Sequence, residues 1–226
     1  MSHADHHFVI AIDGPAASGK SSTAKLVAER LGIHHADSGA LYRAATLART
    51  GRSGVPESWN AGSIVHEARR IALVRSGTSF EITLSGKPVS EELHEPAITA
   101  LVSMVAKMEP VRAWVNDRMW ECAADGPIVV DGRDMGTAVF PKAQLKIFLI
   151  AKAEERARRR LLQRLGRMPM EAEIDAETHA LRQRDVKDAE QTRQADDAVV
   201  IDTTHLTQDE QVDRIVDLAR QVKSDV

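Results

Sequence analysis

The chain of 226 residues is long enough to bury the core of one α/β domain, with room for a small insert. Its 43% hydrophobic and 28% charged residues are typical of an ordinary globular protein, and its net charge of −3 argues against general binding to nucleic acids or membrane surfaces. The single cysteine, Cys122, excludes a disulfide within the chain and a cysteine-based metal site, and it is typical of a reducing compartment.

The N-terminal residues do not have the pattern of a targeting segment. His3, Asp5 and His6 precede an apolar run of only five residues, Phe8–Ile12, which is too short for the core of a signal peptide. No stretch approaches the roughly 18 apolar residues of a membrane span. We therefore expect a cytoplasmic protein without a membrane partner.

The most informative motif follows the first predicted strand, Phe8–Ile12. The segment Gly14–Ser21 reads G-x-x-x-x-G-K-S, and a helical run from Thr23 then ends at Gly32. The glycines let the backbone curl so that consecutive N–H groups face a phosphate, and the new helix presents its positive end to the anion. A strand before the motif and a helix after it are the context that confirms such a loop. The motif predicts a cradle for a nucleoside triphosphate.

Two side chains of the cradle have individual tasks. Lys20 can reach the outer phosphates, and the Ser21 hydroxyl can hold Mg²⁺. The residues that we expect to bind the nucleotide are Gly14, Pro15, Ala16, Ala17, Ser18, Gly19, Lys20, Ser21 and Ser22.

Apolar runs alternate with helical patterns along the chain, which predicts a parallel sheet wrapped by helices. After the first strand, further core strands are predicted at Ile33–Ala36, Pro127–Asp131, Leu145–Ile150 and Ala198–Ile201. Thr207 and Glu210 have the spacing of a capping box at the start of the last helix.

The pattern changes between Arg49 and Ala123, and we interpret this region as an inserted lobe over the substrate. The predicted elements are an amphipathic helix over Ile64–Val74, a half-exposed strand over Phe80–Leu84, and a long helical region from about Pro96 to Cys122 that is bent or broken at Pro110.

Charged loops follow two of the core strands. Asp37–Arg43 comes after the second strand and Asp131–Gly136 after the third. Because ligands in doubly wound sheets bind beyond the carboxyl ends of the strands, we expect both loops to border the phosphate cradle. Asp131 is a candidate partner of Mg²⁺, and a helix or turn cap is the alternative role.

A third cluster of charges lies on a predicted helix after the fourth strand. Arg156, Arg159 and Arg160 share one helical face there. They have two interpretations: a clamp on the transferring phosphoryl group, or a solvated surface with i,i+4 ion pairs such as one with Glu155. The segment Gly166–Pro169 is a candidate lid.

The arginine content and the lack of an obvious catalytic base indicate the class of acceptor. An alcohol acceptor needs a base that removes its proton, whereas a phosphate acceptor is already ionised near neutral pH, with a second pKa of about 6. A phosphate acceptor instead needs several fixed cations.

Two strings in these loops closely resemble the bacterial cytidylate kinase family. They are D-S-G-A-L-Y-R at Asp37–Arg43 and D-G-R-D-M-G-T-A-V-F-P at Asp131–Pro141, and Lys146–Leu149 and Asp202–Thr204 add to the similarity. The resemblance runs over nearly the whole chain. It implies ATP-dependent phosphorylation of CMP and dCMP, with Mg²⁺, in a monomeric cytoplasmic enzyme with no nucleic-acid partner.

The resemblance also implies roles for individual residues. The cytosine would be bordered by Ser38, Tyr42, Ser103, Arg133 and Asp134, and the acceptor phosphate would be held by Arg43, Arg112 and Arg133. The pentose and phosphate would be contacted by Arg184 and Asp188, and ATP would be faced from the lid by Arg156, Arg159 and Arg160. The catalytic residues would be Lys20, Arg133, Arg159 and Arg184. Ser21 and Asp131 would hold the metal.

The implied fold is a P-loop kinase-like α/β fold with a parallel five-stranded sheet flanked by helices. Its core would cover about residues 8–48, 124–162 and 180–226, with a nucleoside-monophosphate-binding insert at about 49–123 and a short lid at about 163–179. The chain departs from the family pattern at Gln191, where the family has arginine, and a shortening follows, so that Arg193 is a possible substitute. The remaining alternatives are a kinase for another small acceptor, such as UMP or a non-nucleotide, and a non-catalytic nucleotide-binding module.

Overall fold

Short strands and helices alternate along the chain, as the sequence predicts for an α/β fold. The structure, a computed structural model, describes residues 7–52 and 54–224, so His3, Asp5 and His6 lie outside the described residues. Within the described ranges, none of the helices combines the length and the apolar character that crossing a membrane requires.

The strands and helices are numbered in chain order. The strands are β1 (Val9–Asp13), β2 (His34–Asp37), β3 (Ile71–Ser76), β4 (Ser79–Leu84), β5 (Lys87–Pro88), β6 (Ile128–Gly132), β7 (Leu145–Ile150) and β8 (Val199–Asp202). The helices are α1 (Lys20–Leu31), α2 (Ser38–Thr50), α3 (Ala61–Ala68), α4 (Pro96–Val105), α5 (Glu109–Ala123), α6 (Ala153–Leu165), α7 (Glu171–Asp188) and α8 (Gln208–Ser224). All five predicted core strands are therefore present.

The chain divides into two units, one made mainly of Ile33–Ile128 and the other of Phe8–Gly32 with Val129–Val226. In the second unit the strands lie in the order β6, β1, β7, β8. The pairs β1–β7 and β7–β8 are both parallel. Every residue of β1 is buried, which is expected for a parallel strand covered on both faces. The carboxyl end of β1 is thereby held rigidly where the phosphate loop begins.

In the first unit β4 pairs with β2 in parallel and with β3 in an antiparallel arrangement. The helix predicted over Ile64–Val74 is wrong in its second half, since α3 ends at Ala68 and β3 begins at Ile71. Apolar residues at 64, 68 and 71 fit a helical period, but Ile71 to Val74 pair residue by residue with β4. Strand pairing overrides the local pattern here.

The long helical region predicted from Pro96 is two helices, α4 and α5, and the break is not at Pro110. Residues 106–108 separate the helices, and Pro110 lies in the first turn of α5. Proline is accommodated at that position because its missing N–H would have no partner within the helix. Pro110 therefore helps to start a helix rather than to bend one.

The phosphate loop of the second unit leaves β1 under a tight steric constraint. Gly14 has a φ of +150°, and a Cβ atom at this position would lie 2.2 Å from the backbone oxygen of Leu149 on β7. Real Cβ atoms do not approach backbone this closely, so only glycine fits where the loop passes the neighbouring strand.

We expect Gly14→Ala to lower the free energy of unfolding by at least about 1 to 3 kcal/mol, because the loop or β7 must shift and the backbone is strained. Urea denaturation measures the loss. Gly51→Ala is the matched control, since Gly51 has a φ of −74° and open space around its Cβ position. Equal denaturation midpoints for the two variants would show that the close approach to Leu149 is unimportant.

Candidate functional site

The loop between β1 and α1 has the backbone shape of an anion-binding nest. Ala17 has a φ of +58° and Gly19 a φ of +89°, so left-handed residues interrupt an otherwise right-handed turn. Such alternation turns successive N–H groups toward one concave side. Among the side chains that the structure describes none caps the start of α1, and the first turn of this helix holds no acidic residue. The positive end of the helix dipole is therefore left for an anion.

Three cations hold the carbonyl oxygens of this loop. Arg133 Nη1 donates to the oxygen of Gly14 at 3.2 Å, and Arg156 Nη1 donates to that of Ala16 at 2.7 Å. Between them, Lys20 Nζ donates to the oxygen of Pro15 at 2.8 Å. Because the C=O and N–H of a trans peptide point in opposite directions, cations that hold the carbonyls turn the N–H groups to the other side. These contacts therefore support the nest.

Polar side chains of the loop have the chemistry of a triphosphate and magnesium site. Ser18 Oγ is fully buried and has no hydrogen-bond partner among the described residues. Ser21 Oγ donates to Asp131 Oδ2 at 2.6 Å, and Asp131 is itself buried at the end of β6. A hydroxyl beside a carboxylate is an oxygen donor set of the kind that Mg²⁺ prefers. The predicted pair Ser21 and Asp131 is thus brought together.

Asp13, at the end of β1, is a site residue that the sequence analysis missed. Its carboxylate accepts hydrogen bonds from the backbone N–H groups of Met135 at 2.9 Å and Gly136 at 2.8 Å. These bonds fix the turn that carries Arg133 and Asp134. Burial raises the pKa of Asp13 to about 6, and the two hydrogen bonds oppose that shift. An acidic residue that ends an otherwise apolar strand was the signal in the sequence.

Predicted arginines lie against two carboxylates of α7, Asp188 and Glu177. Asp188 lies 2.9 Å from Arg133 Nη2 and 3.4 Å from Arg184 Nε. Burial lowers the pKa of Arg133, Asp188 opposes the shift, and Arg184 adds to it. Burial also lowers the pKa of Arg160, against the effect of Glu177. Crowded arginines of this kind are stabilised by a bound anion.

Arg156, Arg159 and Arg160 do not point to one common ligand in this structure. Arg156 is buried against the phosphate loop. Arg159 binds Glu155 at 3.0 Å, the predicted i,i+4 pair, and its Nη2 donates to the backbone oxygen of Thr203 at 2.6 Å. Arg160 lies 3.2 Å from Glu177 on α7. Contact of these arginines with ATP stays a prediction.

Gln191 and Arg193, where the chain departs from the family pattern after α7, are held by local hydrogen bonds. The side-chain Nε of Arg193 donates to the backbone oxygen of Glu190 at 3.0 Å, and the backbone N–H of Arg193 donates to the backbone oxygen of Arg133 at 3.3 Å. Gln191 continues the turn through its N–H to the oxygen of Asp188. The side chain of Arg193 is thus bonded within its own turn.

In the first unit, α4 connects the predicted acceptor-binding residues. Arg43 Nη1 on α2 donates to Thr99 Oγ1 at 2.9 Å, and Arg112 Nη1 on α5 donates to the oxygen of Ala106 at 3.5 Å. Thr99 and Ser103 are four residues apart on α4, so they lie on one helical face, and Ala106 follows the last residue of that helix. Arg43 and Ser103 are therefore brought to the same side of α4, and Arg112 is held at the carboxyl end of that helix.

The start of α2 provides the other predicted residues of this unit. The Asp37 side chain accepts a hydrogen bond from the N–H of Ala40 at 3.1 Å and so caps the helix. Ser38 and Tyr42 in the first turns are both buried, with 2% and 8% exposure. The cap sets where the helix begins, and with it the direction of both side chains.

Comparison with known proteins gives a family. The family model described as cytidylate kinase matches residues 10–221. A cytidylate kinase of Chlorobaculum tepidum is 40% identical over 95% of this chain and 93% of its own length. One from Desulforamulus reducens is 39% identical over 93% of this chain and 96% of its own length. Among solved structures, a shikimate kinase from Bacteroides thetaiotaomicron matches with a TM-score of 0.48 and 14% identity, over 94% of this chain and 98% of that one.

The raised pKa of Asp13 predicts a pH-dependent stability. An exposed aspartate has a pKa of 3.8, so the folded state, with a pKa of about 6, binds the proton more tightly than the unfolded chain does. The contribution of the carboxyl to stability is therefore full below about pH 4 and declines as the pH rises through about 6. The difference in free energy of unfolding between the wild type and Asp13→Asn should fall over this window and be level above it.

Urea denaturation from about pH 4 to about pH 8 measures this difference, and Asp117→Asn, at an exposed position of α5, is the control for the same chemical change elsewhere in the chain. A difference for Asp13→Asn that rises with pH, or that does not change, contradicts the assignment.

Proposed function

The chain belongs to the cytidylate kinase family, and we infer that it transfers the γ-phosphoryl group of ATP to CMP and dCMP, giving ADP with CDP or dCDP. The observation that carries this inference is the phosphate nest at Gly14–Gly19, which adjoins the arginine and aspartate cluster of α7. A nest alone suits any nucleotide-binding protein. The guanidinium groups beside it supply the fixed positive charge that phosphoryl transfer requires.

The donor site is assigned to the loop and to the first turn of α1. The inward N–H groups, the buried Ser18 hydroxyl and the helix dipole all favour the triphosphate. Lys20 now donates to the oxygen of Pro15, and on binding it would transfer to the outer phosphates. Charge that develops on the transferring group is then stabilised by donors that are already in place.

Ser21 and Asp131 would hold Mg²⁺. A bound Mg²⁺ supplies neutralisation of the phosphate charge, and it usually keeps several waters and few protein ligands. The single carboxylate and the hydroxyl, 2.6 Å apart, fit this requirement. Asp131 also orients the Ser21 hydroxyl by accepting its proton in a hydrogen bond.

The acceptor site is assigned to residues whose chemistry matches each part of CMP. Arg43, Arg112 and Arg133 offer planar donors for the phosphate. The Asp134 carboxylate accepts from the amino group of cytosine, and Ser38, Tyr42 and Ser103 border the base. Arg184 and Asp188 are assigned to the pentose and phosphate, and they form an ion pair in which Arg184 Nε lies 3.4 Å from the Asp188 carboxylate.

The remaining assignments concern organisation and location. We assign the monophosphate-binding insert to about residues 49–123 and the lid to about residues 163–179, with Arg159 and Arg160 turned to ATP when the lid closes. Arg156 is assigned to the ATP site through its hydrogen bond to the carbonyl of Ala16. The enzyme is proposed to be a cytoplasmic monomer. The comparisons favour neither another small acceptor nor a non-catalytic module.

A coupled assay with ATP and a panel of CMP, dCMP, UMP, AMP and shikimate tests the proposed function. CMP and dCMP should give the highest kcat/KM values. An equal or better rate with any of the other acceptors, or no turnover with the whole panel, would remove the assignment.

Lys20→Ala should lower kcat by about 10²- to 10³-fold, because a cation that stabilises the charge of the transferring phosphoryl group is lost. Steady-state kinetics with saturating ATP and CMP measures this loss. Lys25→Ala, at an exposed position of the same helix, is the matched control and should keep wild-type turnover. Near-normal turnover of Lys20→Ala would contradict the role of this residue.

Asp134→Ala should mainly damage base selectivity. A carboxylate that accepts from the cytosine amino group disfavours uracil, which has a carbonyl there, so its loss should reduce the ratio of kcat/KM for CMP over UMP by at least about tenfold. Asp196→Ala, at an exposed position, should leave the ratio unchanged. If both variants keep the wild-type ratio, Asp134 does not recognise the base.

A further inference from the structure

Helix α7 is linked to the phosphate loop by two bridges of the same design. Asp185 and Asp188 stand three residues apart on the helix, and each is bound by an arginine from another element, Arg156 for the first and Arg133 for the second. Each arginine also donates to a carbonyl of the loop. The second bridge consists of residues already assigned to the acceptor, whereas the first one includes Asp185, which has no assigned role.

The first bridge is the more rigid of the two. Arg156 Nη2 lies 2.6 Å from Asp185 Oδ2, and Nη1 lies 3.2 Å from Oδ1, so the two groups meet as a planar fork. Nη1 also donates to the oxygen of Ala16 at 2.7 Å, and Nε donates to that of Ala151 at 3.1 Å. Arg156 is only 5% exposed. A buried fork of this kind has little freedom to move.

Apolar packing also fixes Ala16, the residue of the loop whose carbonyl Arg156 binds. Ala16 is 4% exposed and belongs to a buried cluster with Ala157 and Leu161 of α6 and Ile174 and Leu181 of α7. The side chain of Ala16 is therefore packed between the two helices while its carbonyl is hydrogen-bonded by Arg156. Both contacts keep one peptide unit of the nest in a single orientation.

We propose that Asp185 is a positioning residue for the triphosphate: it orients Arg156, which holds the carbonyl of Ala16 and so keeps the N–H groups of the loop directed at the phosphates. The proposal rests on the proposed function for the identity of the ligand, ATP. Asp185 acts through Arg156 and touches neither the loop nor the substrate itself. Its loss should therefore weaken donor binding and leave acceptor binding nearly unchanged.

A competing role for the same pair makes the opposite prediction. If Arg156 left Asp185 to contact ATP directly, the carboxylate would compete with the nucleotide for the guanidinium group. Removal of the carboxylate charge would then release Arg156 and tighten ATP binding. The sign of the change in ATP affinity separates the two roles.

The test uses Asp185→Asn in the full chain, with ATP as the probe and isothermal titration calorimetry in the absence of acceptor. We expect the Kd for ATP to rise about tenfold, the size of effect expected when a charge-assisted hydrogen bond is lost. The KM for CMP should stay within about twofold of the wild-type value, and Asp185→Glu should restore part of the ATP affinity. Asp175→Asn, at an exposed position of α7, should bind ATP as the wild type does.

A second set of variants tests whether Asp185 acts through Arg156. Arg156→Lys keeps the charge and loses the fork, and we expect the Kd for ATP of the double variant with Asp185→Asn to equal that of Arg156→Lys alone. Effects that multiply would overturn the proposal, as would an unchanged or lower Kd in Asp185→Asn. A purely structural role would lower stability and change the affinities for both substrates alike, which would also overturn it.

Two further outcomes keep this proposal separate from the proposed function. If the wild type does not bind ATP, the proposed function fails. If it binds ATP and Asp185→Asn binds it equally well, only the positioning role fails. Should Asp185→Asn not fold in urea denaturation, Arg156→Lys measures the same link, and an unchanged Kd there is equally decisive against it.

Discussion

The donor half of this protein depends on cations that hold the backbone of its phosphate loop. Arginine and lysine beside such a loop are usually considered as ligands of phosphate, yet here they also bind the oxygens of Gly14, Pro15 and Ala16. A loop with left-handed residues at 17 and 19 has no ladder of hydrogen bonds that defines it. The carbonyl contacts replace that ladder, and they orient the N–H groups before any nucleotide arrives.

This arrangement also explains why the cluster contains carboxylates. Arginines that are buried together repel one another, and Asp185 and Asp188 reduce that repulsion while they fix the direction of each guanidinium group. Removal of one partner from a buried ion pair typically costs about 3 to 5 kcal/mol, since the other charge is left uncompensated. The pairs thus make a strongly positive site compatible with a stable fold.

Sequence reasoning best predicts the structural features that are determined by residues close together in the sequence. The strand, loop and helix from Val9 to Leu31 and the pair Ser21 and Asp131 follow from short motifs. The helix predicted over Ile64–Val74 failed because its apolar spacing suits two periods, and only pairing with β4 decides between them. The bridge from Asp185 to Ala16 could not be predicted, because it joins three segments that are distant in the sequence.

The two halves of the proposed site use different chemistry, and this has a consequence for specificity. In the proposed site the triphosphate would be bound mainly by backbone groups, which any residue supplies as long as glycine is present at the tight points such as Gly14. The proposed acceptor residues are side chains, and in the first unit Arg43 is held by Thr99 of α4 and Arg112 by the carbonyl of Ala106 after that helix. Substitutions of these side chains would alter the acceptor without disturbing the nest. Change in substrate preference within such a fold is therefore expected at the acceptor side chains, Asp134 and those on α2, α4 and α5, rather than at the backbone of the loop.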